Sequence, residues 1–135
     1  MKDGVSAQDY LDLELLSKQL QQLDSSLDLA QKELQRTKTA RQLLDECSDS
    51  QELLIPLGSG VFVEAKIADA SSVRMAVGAE VLIDRSLDDA KMALEDQIEQ
   101  LHAQHDRSLQ LREQLIDRIL ALENRIESTI EQKGA

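Results

Sequence analysis

The stretch Leu53-Leu54-Ile55-Pro56-Leu57-Gly58-Ser59-Gly60-Val61-Phe62-Val63-Glu64-Ala65-Lys66-Ile67 decides the fold. Its odd positions are apolar, Leu53, Ile55 and Leu57 before the glycines and Val61, Val63, Ala65 and Ile67 after them, while Glu64 and Lys66 between them are charged. A period of two is the pattern of strands with one covered face, and Gly58-Ser59-Gly60 supplies a tight turn, so the stretch predicts a β-hairpin. A second pair follows at once. Val73, Met75 and Val77 precede Gly78, and Val81 and Ile83 follow it, interleaved with Arg74, Glu80 and Asp84. Positions 51–85 therefore read as two consecutive hairpins, each with one apolar and one mostly polar face. Hairpins of this size are marginal in water unless the apolar face is covered. No other part of the chain is free to cover it. The residues named above are thus expected to meet the same face of other subunits and pool into a sandwich or β-barrel body.

Working outward, the grammar changes to heptads. Leu13, Leu16, Leu20, Leu23, Leu27, Ala30 and Leu34, then Thr37, Arg41 and Leu44, step by three and four. A strict 3.5-residue period belongs to a helix that wraps another helix. On the other side Ser86 precedes Leu87, Asp88 and Asp89, an N-cap followed by acidic residues that suit the positive helix end. Ala90, Leu94, Ile98 and Leu101 then form a seam, interrupted by a polar interval at His105, Ser108 and Arg112. It resumes with Leu115, Ile119, Leu122, Ile126 and Thr129. The two seams predict an antiparallel coiled coil of helices over 7–47 and 86–133, about 60 to 70 Å long. The fold class is mainly α with a small β part in one domain, 1–135. If Cys47 and Ser86 mark adjacent helix ends, facing residues have numbers that sum to roughly 132, which sets Leu122 near Tyr10 and Ile126 near Ser6.

Composition agrees and excludes. Only Tyr10 and Phe62 are aromatic and there is no tryptophan among 135 residues, too little for a large compact core. A formal charge of −11 opposes nucleic-acid or anionic-membrane partners, which are held by Lys and Arg. No stretch nears the eighteen or so apolar residues that span a bilayer, and Met1 to Asp9 has neither a basic nor an apolar segment, so a cytoplasmic protein is expected. Cys47 stands alone and can form no internal disulfide.

Helix, two hairpins, helix is a layout that resembles the alpha subunit of prefoldin, in its archaeal type. The words match too. Leu54 to Ile67 is similar to that family's first hairpin, and Val77-Gly78-Ala79-Glu80-Val81 with Ser86, Asp89 and Ala90 to its second hairpin and helix start. Glu80 stands where the archaeal pattern often has glycine. The resemblance implies a hexamer of two alpha-type and four beta-type subunits, with hairpins pooled into a barrel body. It implies an ATP-independent chaperone whose coiled-coil tips hold unfolded polypeptides and pass them to a group II chaperonin. The rival reading is a coiled-coil adaptor without client-holding activity, which would have no need of the hairpins.

Chemistry-bearing motifs are few. His102 and His105 lack further ligands for a metal site, and Gly58-Ser59-Gly60 precedes a strand instead of the helix that a phosphate cradle opens. No nucleophile, base and acid stand in a recognisable context, so neither catalysis nor a cofactor is expected. The polar interval reads better as a register-setting break than as a hinge. Most seam residues simply seal the coiled coil. Val5, Tyr10, Leu11, Leu120 and Ile130 lie off or beyond the seam near the termini, and with Leu122 and Ile126 they are expected to form the apolar surface that meets clients.

Overall fold

The computed structural model of the chain describes residues 7–134, so Val5 lies outside the described residues. The element order is α1 (Ala7–Glu46), β1 (Glu52–Gly58), β2 (Val61–Lys66), β3 (Ser72–Gly78), β4 (Val81–Ser86) and α2 (Leu87–Gly134). Both helices are rich in Leu, Gln, Glu and Ala and hold neither glycine nor proline from Ala7 to Glu46 or from Leu87 to Lys133. The Ser86 hydroxyl accepts the amide of Asp89 at 3.1 Å, which caps α2 where the sequence places its start. Each helix boundary falls within a residue of the expected one.

The chain divides into two compact units, Met1–Glu33 with Leu101–Ala135, and Leu34–Gln100. In the first, Leu13, Leu16, Leu20, Leu23, Leu27 and Ala30 of α1 and the α2 seam from Leu101 to Thr129 are all buried or half-buried. Leu16, Leu115 and Ile126 are the most enclosed. In the second, Leu34, Thr37 and Ala90 are buried, with Arg41, Leu44, Leu94 and Ile98 half-buried. Nearly every other position of the two helices is exposed, so the 3.5-residue period does choose the covered stripe.

The stagger differs from the expected one. In the first unit Arg112 pairs with Asp24, numbers that add to 136, and Arg125 with Asp9, which add to 134. In the second, Arg41 pairs with Glu95 and Lys91 with Asp45, and both add to 136. The helices are thus offset by about one turn from a sum of 132, and Ile126 stands opposite Tyr10, while Ser6 lies outside the described residues. Aligning helix ends does not fix stagger when leucines can slide past leucines; charged partners that must meet do.

The hairpins are two separate two-stranded antiparallel sheets, with no closed barrel among the described residues. Ile55 faces Val63 and Pro56 faces Phe62 in the first; Met75 faces Ile83 and Ala76 faces Leu82 in the second. Every pair of the second ladder lies twenty positions after its counterpart, from Glu52 with Lys66 and Ser72 with Ser86 to Gly58 with Val61 and Gly78 with Val81. The turns repeat as well. Gly58, Ser59 and Gly60 have φ of 103°, 52° and 79°, and Gly78, Ala79 and Glu80 have 114°, 48° and 62°. Two successive left-handed residues after a bulged glycine match the twist of the strands. Glu80 therefore takes the turn conformation although glycine would take it more readily.

Candidate functional site

Two surfaces expose apolar side chains that water should repel, one in each unit. In the unit that holds the described ends of the chain, Tyr10 is 53% exposed, Leu11 58%, Leu120 50% and Ile130 53%. Tyr10, Leu13, Ile126 and Ile130 line a shallow apolar groove rimmed by Glu123 and Glu127. A second groove runs along Leu15, Leu16, Ala121 and Leu122, flanked by Arg118 and Arg125. Of the residues expected here, Leu122 is half-buried and Ile126 is only 8% exposed. Ile126 is therefore a seam residue that forms a groove wall, and not the free surface that the expected stagger made it. Exposed Leu15 was missed. Its signal was the pair Leu15-Leu16, of which a heptad can bury one member only.

The second surface lies on the hairpins. On the odd face Leu53, Ile55, Val61, Val63, Val77 and Val81 are exposed, and Ala65, Ile67, Val73, Met75 and Ile83 are half-buried. The even face is mostly polar, as the sequence predicts, but it also carries apolar side chains. Leu54 beside Glu64, Phe62 across from Pro56 and Leu82 across from Ala76 are exposed there as well. Ion pairs on this face join Lys66 with Glu52 at 3.7 Å, at the open end of the first hairpin, and Arg74 with Asp84 at 3.4 Å, two rungs in from the open end of the second. Glu64 and Lys66 give the even positions of the first hairpin their polar signal, but Leu54, Pro56 and Phe62 on the same face are apolar.

Charged groups pair the two helices within each unit. Arg112 donates from Nε to Asp24 Oδ1 at 2.6 Å, so the polar interval of the seam holds an interhelical ion pair, with His105 and Ser108 half-buried beside it in sequence. In the unit Leu34–Gln100, Arg41 donates from Nε to Glu95 at 2.9 Å and its Nη1 lies 2.8 Å from Asp45, while Lys91 reaches Asp45 at 3.1 Å. Hydrogen bonding to Glu95 and Asp45 raises the Arg41 pKa further above its ordinary value. The bonds from Arg41 and then Lys91 hold the Asp45 carboxyl below the usual carboxylate range. Asp69 is lowered likewise, by the hydroxyl and then the amide of Ser71, within the link between the hairpins. Among the described residues no His, Cys, Asp and Glu group is arranged to hold a metal, and no helix is long and apolar enough to cross a membrane.

The model of the prefoldin subunit family matches residues 13–132, which takes in both helix seams and both hairpins. The chain belongs to the prefoldin family. Within it, this prefoldin chain is similar to archaeal alpha subunits. It is 32% identical over 96 residues to prefoldin subunit alpha of Methanococcus aeolicus, a match covering 70% of the chain and 65% of that relative. It is 28% identical over 115 residues to the alpha subunit of Thermofilum pendens, covering 83% and 89%. The matched stretch thus spans slightly under two thirds of the Methanococcus aeolicus relative and most of the Thermofilum pendens one. Among solved structures, filamentous PFD from Methanocaldococcus jannaschii is 24% identical and covers 92% of the chain and 93% of its own, with a TM-score of 0.42.

Proposed function

We propose that the chain is a subunit of an ATP-independent chaperone that holds non-native polypeptides and passes them to a group II chaperonin. The observation that carries this reading is the exposed apolar set Tyr10, Leu11, Leu120 and Ile130 beside two apolar grooves, in a unit that also exposes Leu15, Leu29, Leu109 and Leu111. A folded partner of fixed shape calls for complementary geometry, but shallow grooves of leucine, isoleucine and tyrosine suit a chain with no fixed shape. Affinity would come from non-directional burial, at about 25 cal/mol per Å², multiplied when several subunits act together. No nucleotide enters this scheme.

Assembly supplies the several subunits. The odd faces of both hairpins would be covered by hairpins of beta-type prefoldin subunits, in a hexamer of two alpha-type and four beta-type chains. Exposed Leu53, Ile55, Val61 and Val63 support that reading, because an isolated hairpin with such a face gains little from folding alone. The test is whether the complex with beta-type subunits suppresses light scattering by a denatured, aggregating protein without nucleotide. Protection that needs ATP, or none at all, would count against the proposal.

A further inference from the structure

The two grooves in the unit that holds the described chain ends are alike in their apolar walls and differ in the charge along their rims. One is walled by Leu15, Leu16, Ala121 and Leu122, and its charged residues are Arg118, Arg125 and Asp12. The other is walled by Tyr10, Leu13, Ile126 and Ile130, and every charged residue on it is a carboxylate, Glu123, Glu127 and Glu131. These three follow one another at four-residue steps on α2, about 6 Å apart along its axis, and so share one face. Like charges at that spacing oppose the helix that carries them. Among the described residues no cation forms an ion pair with any of the three. Glu14 and Asp28 of α1, by contrast, are each relieved by a lysine one turn on, Lys18 at 3.4 Å and Lys32 at 3.0 Å.

The wall of the acidic groove favours a cation as well. Tyr10 is the one aromatic residue of either helix, since Phe62 lies in β2, and it stands in the groove that holds the three glutamates. A tyrosine ring face attracts a cation, and the stem of a lysine or arginine covers apolar surface while its head reaches a carboxylate. A segment rich in aspartate or glutamate would instead set carboxylates against carboxylates. We propose that this groove selects, among unfolded segments, those in which lysine or arginine stands beside apolar residues, and disfavours acidic ones. The inference rests on the proposed client holding and adds to it the charge of the segment held. The other groove, with two arginines to one aspartate, has no such preference for cations.

The experiment titrates the full chain, assembled with beta-type subunits, against three unstructured dye-labelled peptides, read by fluorescence anisotropy. The peptides share their length and their leucine and phenylalanine positions, and carry lysine, glutamine or glutamate between them. Wild type should bind the lysine peptide at least about fivefold tighter than the glutamine peptide, the scale of a few exposed ion pairs, with the glutamate peptide weakest. Raising salt to about 0.5 M should shrink these differences. In the variant Glu123→Gln, Glu127→Gln, Glu131→Gln the lysine preference should fall to less than half its wild-type value. That variant loses like-charge neighbours, so its helix content by circular dichroism should not fall, which separates lost selection from lost structure. The variant Glu99→Gln, Glu113→Gln, Asp117→Asn removes equal charge at exposed positions outside both grooves and should keep the preference. Equal loss in the two variants would assign the preference to overall charge and overturn the role of the groove, as would a preference undiminished in the first. If wild type binds the three peptides equally, client holding stands and charge selection is overturned. If it binds none of them, client holding itself fails and the inference falls with it.

Discussion

Glu80 holds φ at 62° and Ala79 at 48°, values that side chains with a Cβ adopt at a cost and glycine adopts freely. The first turn has glycine at the place of Glu80, and Gly60 at 79° meets the same demand without strain. Glu80→Gly should therefore stabilise the second hairpin by about 1 kcal/mol, read as slower amide exchange across Ser72–Gly78 and Val81–Ser86. Unchanged exchange would mean the turn stores no strain. At Asp45 the sign of a pH effect is set by its partners. Arg41 and Lys91 hold its carboxyl below the ordinary range, about 4 in an unfolded chain, so the pairing stabilises above that range and is lost as pH falls through the lowered value. Asp45→Asn should make helix content less sensitive to acid below about pH 4 by circular dichroism. Residue-scale legibility was uneven for a physical reason. Ser86 as a cap depends on its immediate neighbours and could be read directly, whereas the partner of Asp24 or Arg41 is set by a helix far along the chain.

At the scale of elements, period is written in one helix and stagger only in two. Leu13, Leu16, Leu20 and Leu23 announced the seam, and all are covered, but a row of leucines looks alike after a shift of one turn. The stagger rests on Asp24 with Arg112, and on Arg41 with Glu95. It can be checked with a short bifunctional thiol reagent in a Cys47→Ser background. Asp24→Cys should cross-link to Arg112→Cys faster than to Ser108→Cys; the reverse order would restore the sum of 132. Because Ile126 is buried in this register, Ile126→Ser should destabilise the helix pair by about 2 to 5 kcal/mol in thermal unfolding. A cost near zero would return it to the surface. The hairpins were legible to the same depth. Val61, Val63 and Ala65 marked one apolar face, whereas the apolar Leu54 and Phe62 on the other are obscured by the charges of Glu64 and Lys66 beside them.

For the whole molecule, the hairpin face and the apolar set near the termini are proposed to do separable work, assembly and client holding. Replacing Leu11, Leu120 and Ile130 with serine separates them, because all three are exposed and none lies in the unit Leu34–Gln100 that carries the hairpins. Each change removes apolar surface without opening the seam, so helix content and assembly with beta-type subunits should be preserved. The deciding measurement is light scattering of a denatured, aggregating protein in the presence of that assembled triple variant, without nucleotide. Protection should fall well below that given by the parent complex at equal concentration. Protection equal to the parent's, from a variant shown by sizing to assemble normally, would contradict client holding at this surface.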